Sequence, residues 1–219
     1  PTVIKAIYEA VANMGYESGN ILEPSCGVGN FFGLLPESMT GSKLYGVELD
    51  SISGRIAQQL YPKANITIRG FEKTGFPDGF FDLAIGNVPF GNYSLADRRY
   101  DKEHLLIHDY FFAKTIDKVR AGGVIAFVTS NGISGGTMDK KDRRAREYIA
   151  RRCDLLGAVR LPSNASLANA GTEAGMDIVF LQKRDMPGLL TNPCRSGRKW
   201  TLWRNTPIPA ETGGRSGAS

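Results

Sequence analysis

"GNILEPSCGVGNFFGLL", residues 19–35, is the stretch on which the reading of this chain turns. Ile21 and Leu22 form the core of a short apolar strand, Gly27 and Gly29 supply a turn, and Phe31 to Leu35 continue as an apolar run of helical character. Strand, glycine turn and helix in so few residues are the opening of a parallel α/β unit. Upstream, "PTVIKAIYEAVANMG" sets Val3, Ile4, Ile7, Tyr8, Val11 and Met14 on one helical stripe and closes on Gly15, a residue suited to the position just past a helix end. Downstream, "KLYGVELD", "NITIRG", "FDLAIGN" and "VIAFVTS" read as strands. "SISGRIAQQLY" and "IHDYFFAKTIDKVRAGG" read as helices between them, the second ended by its glycines.

Strands alternating with helices at this spacing imply right-handed crossovers and a doubly wound, mostly parallel sheet. After the basic stretch "DKKDRRAREYIARR", residues 139–152, the rhythm changes: "LLGAVRLP" and "MDIVFLQKR" follow with no convincing helix between them. They are expected to pair antiparallel at the sheet edge, giving seven strands in all. Residues 1–185 are read as one domain and 186–219, rich in Pro, Gly, Ser and Arg, as an irregular or disordered tail.

The chain has 219 residues, enough for one domain with a full hydrophobic core. Its hydrophobic share of 42% and charged share of 22% are ordinary for a globular protein. No apolar run reaches bilayer length and no signal-peptide pattern opens the chain, so a cytoplasmic location without membrane contact is expected. Cys26, Cys153 and Cys194 are scattered, without a C-x-x-C pair, which indicates reduced thiols rather than a disulfide framework or zinc site. His104 and His108 have the separation of helical metal ligands, but "HLLIH" lacks the intervening glutamate, and no metal is expected. The net charge of +5 suits a polyanionic partner. Seven of the Lys and Arg residues fall within 139–152, which is either a solvated helix face or a surface for phosphates.

In an open parallel sheet, ligands collect beyond the carboxyl ends of the strands, near the point where strand order reverses. Gly27 and Gly29 let the backbone approach a ligand there. Glu23, beside that turn, would repel a pyrophosphate but attract an ammonium group. Glu48, 25 residues further on at the tip of the second strand, stands where a carboxylate grips ribose hydroxyls, with Asp50 as the neighbouring alternative. An acidic first loop with a ribose carboxylate suggests a nucleoside that carries an amino acid, and S-adenosylmethionine fits that description. The fourth strand, expected beside the first, ends in Asn87, Val88, Pro89 and Phe90.

Taken in order, "LEPSCGVGNFF", "GVELD", "NVPF" and "GGVIAFVTSNGIS" resemble the amino-group S-adenosylmethionine-dependent DNA methyltransferases, most closely their adenine-N6 branch. The likeness covers roughly residues 1–185 and extends to methylase modules fused to helicases in large proteins of bacterial mobile elements. It implies the Rossmann-like fold of that family, S-adenosylmethionine as cofactor, DNA as partner, and a helicase or target-recognition domain in a parent protein. It also implies a cofactor site formed by Glu23, Pro24, Cys26, Gly27, Gly29, Phe31, Glu48, Leu49, Phe71, Glu72 and Asn87.

Catalysis is assigned to Asn87, Val88, Pro89 and Phe90. An exocyclic amine on a purine is a weak nucleophile, so acceptors must hold its lone pair toward the methyl group and stabilise the charge that develops on nitrogen. The Asn87 side-chain oxygen and the Val88 carbonyl are those acceptors, and Phe90 stacks on a base turned out of the duplex. Val88 stands where the family usually has a first proline, yet Pro89 keeps residue 88 extended. At the third strand's end the family usually has an aspartate near the cofactor adenine; here Gly70, Phe71 and Glu72 follow, with Phe71 expected to cover the ring and Glu72 to replace the aspartate. Pro1 resembles the end of the family's F-x-T-P segment.

Arg98 and Arg99 in the polar stretch after the tetrad, and Arg143, Arg144 and Arg146, are the candidate phosphate contacts. That stretch reads equally as an ordinary mobile loop. Two other readings are compatible with the motifs: a methylase of a glutamine amide in protein, which uses the same kind of tetrad, and a catalytically silent cofactor-binding scaffold in a larger DNA-processing protein.

Overall fold

Seven strands form a single sheet in the order β3-β2-β1-β4-β5-β7-β6. The structure is a computed structural model and describes residues 1–130, 137, 143–162 and 175–187. β1 (Asn20–Glu23), β2 (Lys43–Glu48), β3 (Asn65–Ile68), β4 (Phe81–Asn87) and β5 (Val119–Ser130) run parallel. β6 (Cys153–Arg160) and β7 (Met176–Lys183) pair antiparallel as expected. β7 also pairs antiparallel with β5, so it is inserted ahead of β6, which forms the edge.

The strands that read as nearly continuous apolar runs are those covered on both faces, as parallel sheets require. On one face, α1 (Thr2–Asn13) lays Ile7, Tyr8 and Val11 over Leu83, Ile85 and Ala126. On the other, α3 (Ile107–Lys118) and α4 (Arg144–Arg152) share a cluster with Leu22, Ala84, Ile125 and Phe127. α2 (Ser51–Leu60) covers the β2–β3 end with Ala57. Its start is capped by the Asp50 carboxylate, which accepts from the Ser53 N–H at 2.7 Å.

Two expected helix boundaries differ. The apolar run after the glycine turn does not form an α-helix but two 3-10 turns, Phe32–Leu34 and Glu37–Met39. Gly33 and Pro36 interrupt it, leaving too few residues to propagate a helix past its costly nucleus. The helix expected to end at Gly122 and Gly123 ends instead at Lys118, and those glycines lie inside β5. There Gly122 takes φ +73°, and the β4–β5 register shifts between Phe81 and Leu83, where β5 skips from Val119 to Val124. No described helix is long and apolar enough to cross a membrane. The tail from residue 188, and residues 139–142 of the basic stretch, lie outside the described residues.

Candidate active site

The switch point falls between β1 and β4, since the chain runs outward from β1 through β2 to β3 and then returns to β4 on the other side. Residues that follow the carboxyl ends of β1, β2 and β4 are thereby gathered at one place. After β1 the chain turns through Gly27 (φ +55°) and Gly29 (φ +86°). A Cβ on Gly29 would run into the Tyr61 ring, whereas one on Gly27 would meet nothing within 4 Å. The turn therefore leans on α2 at Gly29 and opens to space at Gly27.

Glu48 braces this turn. Its two carboxylate oxygens accept from the Gly27 N–H at 2.7 Å and the Asp50 N–H at 2.8 Å. Each oxygen keeps a second lone pair for an incoming donor. Asp50, the alternative to Glu48, spends its carboxylate on the α2 cap. The Cys26 N–H donates to the Val47 carbonyl at 2.9 Å, which ties the turn to β2. Burial and the two nearby carboxylates, Glu23 and Glu48, push the Cys26 thiol up to about 12, so it stays protonated and packs as a small apolar group.

Glu23 is the anomaly of the site. It is 2% exposed, and its Oε2 has no hydrogen-bond partner among the described residues. Burial, and then the charge of Glu48, hold its carboxyl well above the usual carboxylate range. Gly86 in β4 lies directly against it, where a Cβ would stand 3.3 Å from the Glu23 Cγ. Pro24 is buried beside it.

β4 delivers the tetrad next to this turn. Asn87 is exposed, Val88 is buried, Pro89 is half-buried and Phe90 is 58% exposed. The backbone is held from both sides: the Val88 N–H donates to the Val128 carbonyl at 3.0 Å, and the Ser25 hydroxyl donates to the Asn87 carbonyl at 2.7 Å. Ser25 joins the glycine turn to the tetrad, and the sequence reading missed it; a lone serine in a turn carries no signal of a partner 62 residues away. Tyr8 was missed as well. Its hydroxyl donates to the Phe31 carbonyl at 3.0 Å, and burial, with Glu23 next, raises its pKa.

The other expected cofactor residues differ in burial and packing. Phe71 is 2% exposed and packs against Phe111 with ring centroids 5.1 Å apart, with the Lys114 ammonium on it at 5.2 Å, so its ring belongs to the core. Glu72 folds its carboxylate over Gly70 at the end of β3, while its backbone carbonyl accepts from Lys114 Nζ at 3.0 Å. Phe31 is 4% exposed and sits edge-on to Tyr8. Leu49 is 75% exposed at the end of β2.

The polar stretch after the tetrad is anchored by ion pairs. Arg99 bonds Asp78 at 2.8 Å and Asp117 at 2.9 Å, and Lys114, 5% exposed, meets Asp97 at 3.1 Å. Tyr110 and Tyr100 donate to Asp97 and Asp117, each at 2.7 Å. Arg99 is thus committed within the chain, while Arg98 is exposed. Arg143 and Arg144 are exposed and Arg146 half-buried at the start of α4, whose Ala145, Tyr148 and Ile149 face the core. His104, in a left-handed conformation (φ 48°), precedes α3, and His108 is buried within it, so the two do not share one helix face.

What this arrangement can do follows from its parts: the unpartnered Oε2 of Glu23 can meet a cation, the free lone pairs of Glu48 can accept further donors, and the exposed Asn87 side chain can accept from an amine.

No protein-family model matches the chain. It is 34% identical over 186 residues to the defense against restriction protein B of Escherichia phage P1, a match covering 83% of this chain and 8% of that protein. It is 28% identical over 130 residues to the modification methylase CviBIII of Paramecium bursaria Chlorella virus NC1A, covering 57% of this chain and 34% of the methylase. The chain therefore spans less than half the length of these relatives. Among solved structures it is similar to the M protein of the type I restriction enzyme EcoKI, with a TM-score of 0.63 at 14% identity over 87% of this chain and 44% of that one. It is also similar to a geranyl diphosphate C-methyltransferase of Streptomyces coelicolor solved with S-adenosyl-L-homocysteine, with a TM-score of 0.58 at 12% identity over 81% and 80% of the two chains. The chain is thus similar in sequence to part of these proteins, a modification methylase among them, and has the Rossmann-like methyltransferase fold.

Proposed function

We propose that this chain is a catalytic domain, residues 1–185, that methylates the N6 amine of adenine in DNA with S-adenosylmethionine as cofactor. The single observation that carries the reading is the hydrogen bond from Ser25 to the Asn87 carbonyl, which puts the cofactor turn and the tetrad side by side. The Oε2 of Glu23, buried and without a hydrogen-bond partner among the described residues, suits the cofactor's ammonium group. Glu48 would accept from the ribose hydroxyls through its remaining lone pairs. The open space over Gly27 admits a ligand close to the backbone. When bound, the cofactor supplies an electrophilic methyl group on a sulfonium centre.

The chain's own residues do the rest. Asn87 and the Val88 carbonyl orient the amine and stabilise positive charge on its nitrogen. Phe90, 58% exposed, offers a face on which a turned-out base stacks. The nitrogen's proton leaves to solvent, and no metal takes part. The name of one relative as a modification methylase supports DNA as substrate, and the relatives' greater length supports target recognition by another part of a parent protein, in the cytoplasm.

The test is transfer of a tritiated methyl group to adenine in duplex and single-stranded DNA, with digestion of the product to identify N6-methyladenine. Label on cytosine or on protein glutamine in place of adenine would overturn the substrate assignment.

A further inference from the structure

Among the described residues, the buried carboxyl oxygens without a hydrogen-bond partner are Oε2 of Glu23 and Oδ1 of Asp109, and the latter has the His108 Nε2 3.5 Å away. Asp97 is held by Tyr110 and Lys114, and Asp177 by Arg160. Glu23 has one oxygen without a partner at 2% exposure. The titratable groups within electrostatic reach of it come from three elements: Tyr8 of α1, Cys26 of the glycine turn and Glu48 at the end of β2. Burial raises the pKa of Tyr8 and Cys26, so both remain neutral, and the Glu48 carboxylate is held by two backbone N–H groups. From β4 it meets Gly86, which has no side chain. No cation is among these neighbours, and a second negative charge buried beside Glu48 has nothing to balance it among the described residues.

We propose that Glu23 is a neutral carboxylic acid in the ligand-free protein and becomes a carboxylate as the aminoacyl end of the cofactor enters, so that cofactor binding expels one proton to solvent. This rests on the cofactor reading above. The proton passes from Glu23 to the buffer; the ammonium of the ligand stays protonated and replaces it as the neutralising charge. Binding accordingly tightens as pH rises, until the ligand-free acid is already ionised. Glu23 then acts as a positioning and charge-reading residue: it stays uncharged in an empty pocket and favours ligands that bring a cation.

Isothermal calorimetry with S-adenosylhomocysteine tests this, run at neutral pH in phosphate, HEPES and Tris buffers, whose ionisation enthalpies differ. The slope of observed enthalpy against buffer ionisation enthalpy counts the protons released. The expected slope for the wild type is about one proton, falling to near zero in Glu23→Gln, which binds more weakly. Difference infrared spectroscopy on ligand addition should show loss of a protonated-carboxyl band in the wild type and not in Glu23→Gln, and it reads protonation directly if the variant binds too weakly for calorimetry. Wild-type binding with a slope near zero and no loss of that band overturns the proton linkage while leaving the cofactor site intact. Absence of wild-type binding at millimolar ligand overturns the cofactor reading and this proposal together. A slope that persists unchanged in Glu23→Gln assigns the proton to another group and also overturns the proposal.

Discussion

Two regions of this protein bury carboxylates, and they treat them in opposite ways. Around the stretch after the tetrad, Asp97 and Asp117 meet Lys114, Arg99, Tyr110 and Tyr100 with good geometry. Burial opposes ionisation of Asp97, but the hydrogen bonds from Tyr110 and Lys114 prevail and hold its pKa below the ordinary value. At the cofactor turn, Glu23 is buried more deeply, with an unpartnered oxygen and a neighbouring anion. Paired charge holds a segment in place; a buried carboxyl oxygen without a partner can accept one from a ligand. The difference separates scaffold from site more sharply than the number of charged residues in either.

The largest expected effect lies on the paired side. Asp97→Ala leaves the Lys114 ammonium buried without its carboxylate, and breaking such a pair costs about 3–5 kcal/mol. Urea denaturation should report that loss, while a drop under about 1 kcal/mol, the range of surface pairs, would show the network to be peripheral. Next comes Asn87→Ala, which should lower methyl transfer by a factor on the order of 100 to 1,000 while cofactor affinity hardly changes. Equal turnover in variant and wild type would return "NVPF" to the status of a turn.

Glu48→Ala should weaken S-adenosylhomocysteine at least about tenfold, since it removes an acceptor of charge-assisted hydrogen bonds and frees the Gly27 turn. Calorimetry settles it, an unchanged affinity counting against the ribose assignment. Glu23 gives a pH signature. Its folded-state carboxyl titrates above the unfolded value, so its contribution to stability is complete at acid pH and declines as pH rises through the raised folded value. The decline approaches about 1.4 kcal/mol per pH unit inside that window. Thermal melts of ligand-free wild type and Glu23→Gln should therefore diverge in favour of the variant as pH rises; parallel curves would mean that the carboxyl has found a partner. The smallest effect contrasts two neighbours. Arg98→Ala should flatten the salt dependence of DNA binding by about one unit of slope, whereas Arg99→Ala should leave the slope alone and cost stability through Asp78 and Asp117.

What was readable in the chain was whatever depends on local pattern. Apolar runs bounded by glycine, proline and asparagine marked all seven strands, and the order of motifs placed the glycine turn, Glu48 and Asn87 at strand ends. Misread boundaries had local causes of small size: Gly33 and Pro36 cut a helix into 3-10 turns, and a glycine pair that looked like a helix stop became an irregularity inside β5.

The sequence by itself determined the alternation of strands and helices and the chemical types present at the switch point, because periodicity and turn chemistry act over a few residues. Only the tertiary structure decided which of those groups are free to act. Arg98 and Arg99 are adjacent and alike in sequence, but only Arg99 reaches Asp78 and Asp117. Phe71 and Phe90 both follow strands, yet one is sealed in the core and the other stands exposed beside Asn87. Glu23 and Glu48 both stand at strand ends, and among the described residues Oε2 of the first has no hydrogen-bond partner while the second is held by two amides. Pairing and burial are set by neighbours tens of residues away, and the same carboxylate is a brace or a binding group according to whether those neighbours satisfy it.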